Sequence, residues 1–206
     1  MSAIFLQVTA RSEGTCVKFT AIIMFKTYIC VLHKIHPMKK HVLLFLTILI
    51  ANAALAQSDV IKDRLKINQL LDGWHNAAAR TDFDRYFDAM TENFSFVGTD
   101  ATEHWDRRAF AAYSKPYFDK GKGWNFTSIE RHIFFSPDRK MAWFDELLDT
   151  QMKICRGSGV VLRQNGVWKI AQYVLSMTVP NENVEAVIKA KAAIEDPLIE
   201  KIKNFK

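Results

Sequence analysis

Apolar and polar positions alternate with a period of two along residues 141–180, the stretch around which the chain is organised. Three apolar-rich runs lie there, at 141–151, 154–164 and 167–179. Asn165-Gly166 separates the last two, and that dipeptide tolerates the positive φ angles a tight hairpin needs. The pattern predicts three consecutive antiparallel strands. Residues 124–135 alternate as well and predict a fourth strand, and 94–98 predict a short one carrying Phe94 and Phe96. Helical spacing replaces alternation elsewhere. In 60–80, Ile61, Leu65, Leu70, Leu71, Trp74, Ala77 and Ala78 form an apolar set. Thr81 or Asp82 then caps a short helix through Met90, with Phe83, Tyr86, Phe87 and Met90 on one face. Thr91-Glu92-Asn93 reads as a turn and 99–105 as a polar loop. Asp106 is placed to cap a third helix to about Lys120, which Pro116 should end or kink. A last helix is expected over 182–196, interrupted by Pro197, with 198–205 continuing as a separate amphipathic turn or two. Helices followed by a run of strands predict one α+β domain, a curved antiparallel sheet wrapped around the N-terminal helices, with a C-terminal helix.

Charge changes the picture only once the leader is set aside. Met38-Lys39-Lys40-His41 is a basic start, 42–50 an apolar run, and Ala54-Leu55-Ala56 an A-x-A cleavage pattern, so 38–56 reads as a signal peptide cleaved after Ala56. The expected compartment is periplasmic or secreted. Residues 1–37 read as a start chosen upstream of the true one, or else as a hydrophobic extension; neither apolar run reaches a span's length. Residues 1–56 hold six Lys or Arg and one acid, five of the six net positive charges. The remainder, 57–206, is nearly neutral, so the chain's basic character does not imply nucleic-acid binding. Cys16 and Cys30 fall in the leader, leaving Cys155 as a buried thiol without a disulfide partner.

Order and motifs together resemble the SnoaL-like branch of the nuclear-transport-factor-2-like superfamily over about residues 60–182. The resemblance rests on the helix join 77–86 and on Phe94–Gly98 followed by Thr99-Asp100. It also rests on Arg156-Gly157-Ser158-Gly159-Val160, and above all on Asn165-Gly166-Val167-Trp168-Lys169-Ile170 with Ser176 and Pro180-Asn181 after it. It implies a cone, a curved sheet closed by three helices around a pocket, often paired through the sheet as a homodimer. Members include isomerases, cyclases and dehydratases. Family members often place His on the final strand; here Gln172 and Val174 stand there instead.

Alternation also proposes which side chains line the pocket. On the last strand Trp168, Ile170, Gln172, Val174 and Ser176 share a side; on the one before, Arg156, Ser158, Val160 and Leu162 do. For 141–151, either Trp143/Asp145/Leu147 or Phe144/Glu146/Leu148 faces in, and the Trp143/Asp145 set is favoured. Asp145 in an apolar cone would be a candidate general base. Equally, Asp145 and Arg156 could form a cross-strand pair that fixes register, or Arg156 could grip a ligand carboxylate. His104 and Trp105 lie at the expected mouth, with His104 a second catalytic candidate and Tyr86 a pocket residue. His75 reads as a surface partner of Asp72, and His132 has no evident partner. No metal-ligand spacing, cofactor motif, phosphate loop or nucleophile elbow is present. The expected function is binding of a small apolar or carboxylate-bearing molecule. The alternatives are a proton-transfer or hydrolytic enzyme and a protein-interaction module.

Overall fold

The computed structural model describes residues 37–204. The chain divides into two compact units, up to Val60 and from Ile61 onward. In the first unit the described residues belong to the start of helix α1, Pro37–Ala79. The helix therefore runs without a break through the expected cleavage point. No described helix is long and apolar enough to cross a membrane.

From Ile61 the order is the rest of α1, then α2 (Phe83–Asp88), β1 (Met90–Val97), β2 (His104–Asp106), α3 (Arg107–Phe118), β3 (Phe126–Phe135), β4 (Met141–Thr150), β5 (Lys153–Gln164), β6 (Val167–Met177), a 3₁₀ turn and α4 (Val184–Lys203). The strands form one six-stranded sheet ordered β2-β1-β6-β5-β4-β3. The expected α+β class holds, and β3 to β6 form an antiparallel meander as predicted. The sheet is mixed, because β1 lies parallel to β6. Local chemistry explains the punctuation. Asn165 and Gly166 both take positive φ, 51° and 82°, in the β5–β6 hairpin. Asp82 caps α2 by accepting from the Arg85 N–H, and Asp106 caps α3 by accepting from the Ala109 N–H at 2.7 Å. Pro116 and Pro197 both sit inside continuous helices rather than ending them.

Two expectations about length fail. Residues 91–93 extend β1 instead of forming a turn. His104 and Trp105 belong to a short edge strand, paired with Val97 and Phe96, not to a loop.

The core lies between the sheet's concave face and the helices. α1 contributes Ile67, Leu71, Trp74, Ala77 and Ala78; Ile61 and Leu65, expected in that set, are more than half exposed. The buried face instead begins at Asp63 and follows 63, 67, 71, 74/75 and 78.

The sheet's inner face differs from the sequence expectation on three strands. On β4 the buried set is Ala142, Phe144, Glu146, Leu148 and Thr150, so Trp143 and Asp145 point outward. On β5 it is Cys155, Gly157, Gly159 and Val161, which puts Arg156 and Ser158 outside. On β6 alternation is broken. Val161 pairs with Ile170 but Val160 pairs with Gln172, leaving Ala171 as an extra residue. That bulge reverses the phase of everything after it. Trp168 and Ile170 are buried as predicted; beyond the bulge Tyr173 and Leu175 are buried, and Gln172 and Ser176 are exposed.

Candidate functional site

The concave face carries one buried carboxylate, Glu146, at 1% exposure. It is fully engaged. Oε1 accepts from the Tyr173 hydroxyl at 2.9 Å and lies 2.9 Å from Nε2 of His75. Oε2 accepts from Nε of Arg131 at 2.8 Å. Arg131 in turn donates to Asn68 Oδ1 at 3.0 Å and pairs with Asp72 at 2.9 Å. β4 supplies the carboxylate, β3 the guanidinium, β6 the phenol and α1 the imidazole. Burial by itself would push the Glu146 carboxyl up. The hydrogen bonds and charges of His75 and Arg131 overcome that and hold it at about 2. An ionised Glu146 can only accept, so His75 presents Nε2 to it as a donor. Burial and the neighbouring carboxylate together push the Tyr173 phenol well above its usual range.

Aromatic rings fill most of the concavity. Trp74 stacks on Tyr86 at 4.9 Å and meets Tyr173 edge-on at 4.7 Å; Phe96 stacks on Phe110 at 4.2 Å. Tyr86 is buried there and accepts from the Trp124 indole N–H at 3.2 Å. Burial pushes its phenol far above the ordinary range, against the small lowering effect of that bond. Gly157 is required beneath this cluster, because a Cβ there would lie 2.1 Å from the Tyr173 hydroxyl.

What stays open is a recess of about 180 Å³ at the edge of the aromatic cluster. Its walls are Phe96, Trp105, Phe110, Tyr113, Trp124 and Phe126, its rim Thr99, Glu103 and Gln151, and Met152 and Leu175 close it. Glu103 is the one acidic residue of the lining, which holds no Lys, Arg or His, and its Oε2 accepts from the Asp100 backbone N–H at 3.3 Å. On the other side of Phe126 a polar cleft is lined by Asp72, His75, Asn76, Asn125, Thr127 and Ser128.

The sequence candidates are therefore dispersed. Trp105 lines the recess, and Tyr86 sits in the core beside Trp124. His104 is exposed on the edge strand. Asp145 is on the convex face, 3.1 Å from Nδ1 of His132, which also lies 3.2 Å from Glu130. Arg156 is not its cross-strand neighbour; Asp145 stands opposite Ser158, and Arg156 opposite Leu147 and Ser176. Trp143 stacks on Phe134 at 5.9 Å on that same outer face. Ser158, Gln172 and Ser176 share it. His75 is no surface partner of Asp72; it is 4% exposed and turned to Glu146. Its place four residues after Leu71 and eight after Ile67 already put it on the buried face of α1. Glu103 and Leu175 were missed because one lies in a loop and the other beyond the bulge.

A SnoaL-like domain model matches residues 67–180. No curated protein sequence matches the chain. Solved structures similar to it include an NTF2-like protein of unknown function from Pseudomonas putida KT2440. That protein is 14% identical over 60% of this chain and 92% of its own, with a TM-score of 0.50. A proposed dehydratase of the NTF2-like family from Streptomyces avermitilis is 13% identical over 58% and 98%, also with a TM-score of 0.50. These likenesses speak to the fold. With the helices, the curved sheet and the matched domain in agreement, the chain belongs to the SnoaL-like family within the NTF2-like fold.

Proposed function

We propose that this is an exported binding protein that takes a small, flat, neutral or cationic apolar molecule into the recess beside Trp105 and Trp124. The observation that carries the reading is the contrast between the two carboxylates. Glu146 is ionised, saturated with donors and walled in by rings, so it is a poor proton acceptor at neutral pH. The recess, in contrast, is open, aromatic and supplied with a single charge, Glu103. A volume of about 180 Å³ suits one or two fused rings rather than a drug-sized ligand, whose pockets run from about 300 Å³. Arg156, the expected grip for a carboxylate, faces the other side of the sheet. The negative rim selects against anions.

The leader supports export: a basic start, an apolar run and Ala54-Leu55-Ala56 stand in the order a signal peptide requires. Amino-terminal sequencing of protein from the exported fraction should begin at Gln57. A second copy is the partner proposed for the convex face, where Phe134 and Trp143 are stacked and both nearly half exposed.

Binding is tested by tryptophan fluorescence, with 2-naphthylamine and 2-naphthoate as matched probes. The amine should quench saturably and the acid should bind more weakly. Glu103→Gln should narrow that difference, and Trp105→Ala should weaken both. Probes that fail to saturate, or an acid that binds as well as the amine, would remove the basis for this function.

A further inference from the structure

Helix α4 follows the last strand and lies beyond the SnoaL-like domain. Its twenty residues include none that is buried. Ile188, Ile194 and Ile202 are each more than half exposed, although they belong to one side of the helix. Positions 184, 188, 191, 195, 198 and 202 alternate in steps of four and three, the spacing of a coiled-coil seam. They are Val, Ile, Lys, Glu, Leu and Ile. Four are apolar; the two charged ones sit in the middle, and Val187, Ile194 and Ile199 border the seam. Lys191 and Glu195 form an i, i+4 pair within the helix at 2.9 Å, both side chains still partly open to solvent.

The seam is complementary to itself when reversed. Fold it back about residue 193 and Val184 meets Ile202, Ile188 meets Leu198, and Lys191 meets Glu195. In an antiparallel pair related by a two-fold axis, each first-type seam position layers against the second type of the other helix. Every layer then matches, apolar with apolar and cation with anion. In a parallel pair Lys191 would face Lys191 and Glu195 would face Glu195, which a desolvated seam penalises. Pro197 lies on the helix face away from the seam.

We infer that α4 is an interaction helix whose partner is α4 of a second copy of this chain, packed antiparallel with Lys191 of each copy against Glu195 of the other. Six seam residues per helix make a small interface, below the roughly 1,200 Å² of stable complexes. The pairing is therefore reversible, or reinforces copies already in contact. It does not depend on the recess.

The test uses the full chain in two charge variants, K191E and E195K, one of them labelled with ¹⁵N. Far-ultraviolet circular dichroism checks that each keeps its helix content. Each variant alone should self-associate about tenfold more weakly than the wild type, since its central layers carry like charges. Mixed together, the two should form mixed pairs well above the statistical half in native mass spectrometry. The intrahelical pair is broken in both variants, so its loss cannot produce that bias, and a contact through the convex sheet face is identical in both and gives only the statistical mixture. A statistical mixture, or variants that associate as the wild type does, overturns the inference and leaves α4 for another surface, such as a membrane or a different protein.

Discussion

Replacing Glu146 with Gln is the sharpest probe of the interior. The amide keeps the shape but removes the charge. It also turns one acceptor into a donor, facing Arg131 on one side or His75 and Tyr173 on the other. Arg131, with its side chain 7% exposed, would retain Asp72 at 2.9 Å, but that carboxylate is 65% exposed and screened. Removing one partner of a buried ion pair costs roughly 3–5 kcal/mol. The carboxyl's displacement points to a similar size: from an ordinary 4.5 down to about 2 it corresponds to on the order of 3 kcal/mol. For a domain of this length that is a fall of about 8–14 °C in Tm. The sign with pH follows from a depressed carboxyl. Its contribution is complete above pH 4.5 and drains away as pH falls towards 2, where the native carboxyl also takes up its proton. Urea denaturation of wild type and E146Q, followed by tryptophan fluorescence from pH 7 to pH 2.5, should give a gap of about 3 kcal/mol near neutrality that closes on acidification. Other carboxylates titrate in both proteins and cancel in the difference. A gap under about 1 kcal/mol at pH 7, or one that stays constant with pH, would refute the account of Glu146 as an ionised interior anchor.

Gly157→Ala should destabilise the fold by about 2–4 kcal/mol in the same assay, because its Cβ would lie 2.1 Å from the Tyr173 hydroxyl and 3.0 Å from Glu146 Cγ. Asp106→Ala should cost about 1 kcal/mol through loss of the α3 cap, and Asp106→Asn should recover most of it. Deleting Ala171 removes the β6 bulge and should either turn Tyr173 outward or force the strand to slip. Loss of near-ultraviolet dichroism with retained strand signal would report it, and an unchanged aromatic spectrum would contradict a bulge at Ala171.

Much of the fold was legible because local signals and periodicity agreed. Asn165-Gly166, Asp82 and Asp106 each act through their own backbone neighbours, and each did what its chemistry dictates. The meander's strands fell close to where alternation put them. The inner face was less legible for two separate reasons. On β4 the two alternating sets, Trp143/Asp145/Leu147 and Phe144/Glu146/Leu148, have nearly the same composition. Only the partners on other elements, His75 and Arg131, decide which carboxylate is solvated by protein. On β6 the period itself is broken. Ala171 has no feature that marks it as extra; its bulge is a property of the pairing with β5.

These two failures bear on function in one direction. The sequence offered Asp145 as an interior base with Tyr86, His104 or Ser176 as partners; of these only Tyr86 lies in the core, and the sheet turns Asp145, His104 and Ser176 away from it. The carboxylate that does enter the concavity arrives with its charge already balanced. Tyr173, brought inward by the bulge, donates to it, and His75, expected at the surface beside Asp72, reaches it from the buried face of α1. A cone built this way uses the buried Glu146–Arg131 pair to fasten α1, β3, β4 and β6 to each other. The proposed recognition therefore rests on the recess beside Trp105, where Glu103 is the acidic residue and the surrounding surface is aromatic.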